Sequence, residues 1–193
     1  MIDLDILKLT DEELVNFTLK NQENFLYLMK RYEGKLKAYI KRLSNFDNDQ
    51  VEDILQDTFI KTYNNLNDFD ASLKFSSWIY RICHNQVIDH YRKTKTRPQT
   101  FDLDFASELI NNLISDSDIS KEVDRIYLRA NIKNVLDSMD LKYKEILILR
   151  YFEEKDYQEI SDILKKPMGT VATLISRAKS KFKEELLAAK IEL

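Results

Sequence analysis

The stretch that decides the fold reads Tyr157-Gln-Glu-Ile-Ser-Asp-Ile-Leu164, then Lys165-Lys-Pro-Met-Gly169, then Thr170-Val-Ala-Thr-Leu-Ile-Ser-Arg-Ala-Lys-Ser-Lys-Phe-Lys183. Ile160, Ile163 and Leu164 recur at helical spacing, so 157–164 predicts a short helix with one apolar face. Asp156 stands where an N-cap belongs, and Glu159 occupies the third helical position that a capping box requires. Residues 165–169 interrupt the pattern. Thr170 reads as the cap of a second helix, whose apolar side is Val171, Leu174, Ile175, Ala178 and Phe182. A short helix, a tight turn and a longer basic helix make a helix-turn-helix, whose second helix enters the major groove of double-stranded DNA. Arg177, Lys179, Lys181 and Lys183 can neutralise phosphates, and Arg177 alone is near enough to the helix start to reach a base. The same pattern is compatible with an ordinary helical hairpin that carries a solvated basic face.

Composition agrees with helices throughout. Only two Gly and two Pro occur in 193 residues, whereas a β-rich fold needs frequent turn residues. Hydrophobic residues at 44% suffice for packed cores and exclude a chain disordered throughout. The single cysteine, Cys83, excludes an internal disulfide and reads as a small buried apolar residue, and no Cys/His cluster has zinc spacing. The start, Met1-Ile-Asp-Leu-Asp5, lacks the regions of a signal peptide, and no apolar run approaches a membrane span. A soluble, cytoplasmic protein without membrane insertion is expected.

The net charge of −3 says little, but its distribution says more. From Lys74 to Arg97 there are six Lys/Arg against one acid, Asp89. From Phe101 to Glu122 there are six acids against Lys121, and from Met168 to Lys183 four basic residues and no acid. Two basic blocks separated by an acidic one suit two DNA-contacting modules joined by a linker.

Upstream, Thr10 as N-cap and Glu13 predict a capped helix start, followed by apolar residues at helical spacing from Leu14 to Leu43 with an interruption around Asn21. A second helix carries Val51, Ile54, Leu55, Phe59 and Tyr63 on one face. Asn64 to Asp70 reads as a loop, and Ser72 to Thr94 as a third long helix that Pro98 helps to end. The polar, acidic stretch from 98 to 120 reads as an interdomain linker, with a short helix at 105–114. Further helices are expected from Lys121, with Val123, Ile126, Tyr127, Ile132, Val135 and Leu136 apolar, and from Lys142 to Phe152.

Two stretches match one family in order. Asp53-Ile-Leu-Gln-Asp-Thr-Phe-Ile-Lys61 and Phe75-Ser-Ser-Trp-Ile-Tyr-Arg-Ile-Cys-His-Asn85, with Asp89, resemble conserved region 2 of bacterial sigma factors. Glu159-Ile160, Pro167, Gly169-Thr-Val171 and Arg177-Ala-Lys179 resemble region 4, and no room for a region 3 domain lies between. The whole resembles an extracytoplasmic-function (ECF) sigma factor of the sigma-70 family. The resemblance implies an all-α protein of two small helical domains on a flexible linker: region 2 at 1–97, an acidic linker at 98–120, and region 4 at 121–193. It implies an alternative sigma factor that directs promoter-specific initiation by recognising −10 and −35 elements, is not an enzyme and needs no cofactor. The partners implied are the RNA polymerase core (β′ clamp and β flap), promoter DNA and an anti-sigma factor.

The resemblance also distributes roles. Asp53, Gln56, Asp57 and Lys61 would dock on the β′ clamp. Asn67, Phe69 and Lys74, in the loop that would hold a flipped base, join His84, Asn85, Asp89, Arg92 and Lys93 as the −10 set, while Trp78 is assigned to the core. Exposed rings and cations suit melted DNA, because rings stack on unpaired bases and cations follow the backbone. The −35 set is Arg150, Thr170, Ala172, Thr173, Ser176, Arg177, Lys179 and Lys181, with Arg150 open to the alternative of pairing with Glu153 or Glu154. The sequence departs from the family where Lys165 replaces a common turn Gly and where Ala172 and Leu174 replace frequent basic residues. Fewer cations mean weaker intrinsic −35 affinity.

A helix-turn-helix regulator that acts without polymerase is the alternative, and it would have no need of a docking face on the Asp53 helix. A helical hydrolase is disfavoured, since no carboxylate cluster, Cys-His pair or Gly-rich phosphate loop is present. His84, Asp89 and His90 are rejected as metal ligands because their spacing spreads them around a helix.

Overall fold

Several helix starts among the described residues are set by side chains that satisfy otherwise orphaned N–H groups. The computed structural model describes residues 8–94, 135–136 and 138–188, which form helices and turns with no strand among them. The expected linker, and the helical stretch carrying Val123, Ile126, Tyr127 and Ile132, lie outside the described residues. Helix α1 spans Asp11–Lys20: Thr10 Oγ1 accepts the Glu13 N–H at 3.2 Å while the Glu13 carboxylate accepts the Thr10 N–H at 2.8 Å. The interruption at Asn21 is a cap in its own right, its side chain accepting the Glu23 N–H over one 3₁₀ turn, Gln22–Asn24. Helix α2 follows at Phe25–Leu43. Helix α3, Asn48–Asn64, opens with a second capping box made by Asp47 and Gln50.

Helix α4 spans Phe75–Thr94, three residues shorter at its start than the sequence suggests. The physical reason is local: the Asp70 carboxylate accepts the Ser72 N–H at 2.9 Å and the Asp70 carbonyl accepts the Leu73 N–H, closing a turn. The first helical N–H, of Phe75, then donates to the Glu12 carboxylate of α1 at 3.0 Å. The 64–70 loop itself contains a 3₁₀ turn at Leu66–Asp68.

Two compact units account for the described elements. In the first, α4 packs on α3 and α1. Its core includes Leu14, Leu28, Leu36, Val51, Ile54, Phe75, Ile79, Cys83 and Val87, all buried. Three buried hydroxyls, of Thr18, Thr58 and Thr62, each donate to the carbonyl four residues earlier at 2.7 Å, so they enter the core without an unmet donor. Phe75 sits in an aromatic cluster, its ring centroid 5.5 Å from Tyr32 and from Phe69 and 5.7 Å from Trp78.

The second unit contains α5 (Leu141–Tyr151), α7 (Met168–Ala188) and, up to Ser161, α6 (Tyr157–Leu164). α5 packs on α7, burying Ile146 to Leu149 along with Val171, Ile175, Ala178, Phe182 and Leu186. Val135 and Leu136 are buried too, as their periodicity suggests. Among the described residues, no helix is long and apolar enough to cross a membrane.

Candidate nucleic-acid interface

The α6–turn–α7 unit is built from local hydrogen bonds. Asp156 caps α6, accepting the Glu159 N–H at 2.7 Å, and the Glu159 carboxylate accepts the Asp156 N–H at 3.1 Å. The helix ends at Lys165, whose φ of 53° is left-handed, at the position where the family commonly places glycine. A side chain there costs about 1 kcal/mol of backbone strain. The Ser161 hydroxyl donates to the Lys166 carbonyl at 2.6 Å, and the Lys166 N–H donates back to the Ser161 carbonyl, closing the turn. Glu145, buried in α5, is held above the usual carboxylate range by desolvation, partly offset by Lys166 at 3.9 Å.

The second helix starts two residues earlier than Thr170. The N–H groups of Thr170 and Val171 both donate to the Pro167 carbonyl, at 2.8 and 3.0 Å, so Thr170 lies inside the first turn and does not cap it. Thr170, Ala172, Thr173, Ser176, Arg177, Lys179 and Lys181 are all exposed, on the side away from Val171, Ile175, Ala178 and Phe182. Lys181 is bound to Glu184 at 2.6 Å, which reduces the charge it presents. Leu174 is half-buried. Met168, which the sequence reading passed over, is 51% exposed beside this face.

Arg150 takes neither an open solvent position nor a bond to Glu153 or Glu154. One of its N–H groups donates to the Lys155 carbonyl at 3.0 Å, and its guanidinium lies over the Tyr157 ring, 5.5 Å from the centroid. It braces the connection from α5 into α6.

In the first unit the −10 candidates separate. Asn67, Lys74, Asn85, Arg92 and Lys93 are exposed, and Asp89 is half-buried and within 3.3 Å of Arg92. One candidate is corrected. His84 is 8% exposed, with its Nδ1 3.0 Å from the Tyr39 hydroxyl, so it belongs to the core and not to a strand-facing surface. Phe69 is half-buried, its ring 5.4 Å from Trp78 and 5.5 Å from Phe75, so part of it joins the aromatic cluster. Trp78 and Cys83 are buried, as expected.

On α3, Asp53, Gln56, Asp57 and Lys61 form one exposed strip opposite the buried Val51, Ile54, Leu55, Thr58, Phe59 and Thr62. Ile60 lies within that strip and is 57% exposed, a residue the sequence reading missed. The available signal was an isoleucine four residues after Gln56 and three after Asp57, on the polar face. Beside it a groove of about 550 Å³ runs between α2 and α3, lined by Phe25, Leu26, Met29, Leu55, Phe59 and Tyr63 among others.

Comparison with known proteins fits both units. Residues 28–97 match the model of Sigma-70 region 2 and residues 129–182 that of Sigma-70 region 4. The chain is 31% identical over 173 residues to the ECF RNA polymerase sigma factor SigW of Bacillus subtilis, covering 86% of this chain and 90% of that one. The chain belongs to the ECF sigma factors of the sigma-70 family. The ECF RNA polymerase sigma-E factor of Escherichia coli K12 is 30% identical over 182 residues, covering 89% of this chain and 92% of its own. Among solved structures, CnrH in complex with the cytosolic domain of CnrY superposes with a TM-score of 0.67 at 24% identity, over 92% of this chain and 97% of that one. RpoE bound to the anti-sigma factor NepR, from Bartonella quintana, gives 0.61 at 21% identity, over 85% and 97%. These two establish the shared fold. This sigma factor is thus an alternative promoter-specificity subunit of RNA polymerase, and the stand-alone regulator reading is not favoured, since it leaves the region 2 match without a purpose.

Proposed function

We propose that the chain divides its work as region 2 at 1–97, an acidic linker at 98–120 and region 4 at 121–193. Region 2 docks on the β′ clamp through Asp53, Gln56, Asp57 and Lys61 and engages the −10 element with Asn67, Lys74, Asn85, Asp89, Arg92 and Lys93. Region 4 engages the −35 element with Thr170, Ala172, Thr173, Ser176, Arg177, Lys179 and Lys181, with Arg150 as a brace, and touches the β flap. The factor works in the cytoplasm and has no catalytic centre of its own, since the polymerase performs the chemistry. An anti-sigma factor restrains it, as CnrY and NepR bind its structural relatives.

The observation that carries this reading is the strip on α3: four polar side chains exposed together, with all six apolar and threonine positions opposite them buried. A free regulator would have no need of a docking face there. In vitro transcription with core polymerase tests it. The expected result is promoter-dependent initiation that the Asp53→Ala/Gln56→Ala double variant loses while keeping its fold. Failure of the intact factor to direct initiation from any genomic template would sink the reading.

A further inference from the structure

The outward face of α7 carries an unusual chemistry for a helix that reads DNA. From Met168 to Ser176 there is no charged side chain, and the exposed groups there are small or methyl-bearing: Met168, Gly169, Thr170, Ala172, Thr173 and Ser176. The Thr173 hydroxyl is turned back along its own helix and donates to the Gly169 carbonyl at 2.9 Å. Its donor is thereby committed, so the exposed Thr173 and the exposed Ala172 each offer a methyl group. A Cβ built on Gly169 would meet nothing within 4 Å, so the backbone there is bare on the solvent side and allows close approach. The guanidinium of Arg177 enters only at the next turn.

In the major groove the C5-methyl of thymine is the one apolar group that a base pair presents, and Ala and Thr methyls are its natural contacts. Resting on the reading of α7 as the −35 helix, we propose that Ala172 and Thr173 recognise thymine C5-methyl groups in the −35 element. This sigma factor therefore reads that element at these positions by apolar contact. Such a surface depends less on salt-sensitive phosphate attraction and more on a salt-insensitive contact with base edges.

The test uses holoenzyme assembled from the full chain. A duplex with a randomised −35 window is selected for holoenzyme binding, and the winning sequence is synthesised with thymine or with deoxyuridine, which pairs identically but lacks the methyl. Selection should return thymines at fixed places on either strand, and uracil replacement there should weaken binding about fourfold per buried methyl lost. Thr173→Ser keeps the hydroxyl that bonds Gly169 and removes only the methyl. It should lose the same factor on the thymine duplex and nothing more on the uracil duplex. Footprint protection at the −35 window with equal binding to both duplexes overturns the proposal while leaving the −35 reading intact. A footprint without −35 protection, together with no loss for Arg177→Ala, overturns that reading and the proposal with it.

Discussion

Helices α4 and α7 are of similar length and both alternate cations with apolar residues, yet they present very different amounts of surface. α7 buries one stripe, and every residue from Thr170 to Arg177 off that stripe is exposed apart from the half-buried Leu174. α4 is packed by both α3 and α1, and of its residues from Phe75 to Lys93 only Asn85, Arg92 and Lys93 are exposed. A helix held from two sides keeps a narrow strip for ligands and uses the rest of its polar and aromatic residues as internal structure. Candidates named from their chemistry alone are therefore trustworthy on a helix packed from one side and suspect on one packed from two.

The comparison can be broken most severely at Phe75. Truncation to alanine should cost about 3–5 kcal/mol, because three aromatic neighbours lose their common contact. Denaturant unfolding measures it, and a loss below about 1 kcal/mol would mean that the α4 cluster is not a packed core. Arg177→Ala addresses the other helix. Holoenzyme binding to the −35 element should weaken by about 1–3 kcal/mol, as for loss of a base-directed guanidinium, with the unfolding midpoint unchanged. A drop in stability in place of affinity would place Arg177 with the structural residues.

Tyr39→Phe is smaller. Removing the hydroxyl that faces His84 should lower stability by about 1 kcal/mol and leave binding of a single-stranded −10 oligonucleotide unaltered. If His84→Gln weakens that oligonucleotide binding without changing stability, the core assignment of His84 fails. The smallest effect belongs to Lys165→Gly, which relieves a left-handed backbone at φ 53° against a greater entropy of the unfolded chain. The melting temperature should rise by a few degrees at most, corresponding to about 0.5 kcal/mol. A fall would show that the Lys165 side chain contributes more than its backbone strain removes.

Much of the architecture was legible because its signals are local. Thr10 with Glu13 and Asp156 with Glu159 declare helix starts within four residues, and both form the capping boxes expected of them. The start of α4 was misplaced because its decisive partners are the Asp70 turn and the distant Glu12 carboxylate, and no window around Ser72 contains Glu12. The site was legible to a lesser degree. Periodicity separates one buried stripe from one exposed one, so the strip on α3 and the outer face of α7 could be read from sequence. It cannot say that Phe69 completes the Phe75–Trp78 cluster or that His84 meets Tyr39 across forty-five residues of chain.

The Arg150 brace has a consequence for the thermodynamics of promoter binding. With its guanidinium over Tyr157 and an N–H on the Lys155 carbonyl, it fixes the exit of α5 against the entry of α6 before any DNA arrives. The Ser161 and Lys166 bonds do the same for the turn between the reading helices. Association then orders little backbone in this unit, and calorimetry should find a heat-capacity change that follows the apolar area covered, without the additional decrement of a coupled folding event.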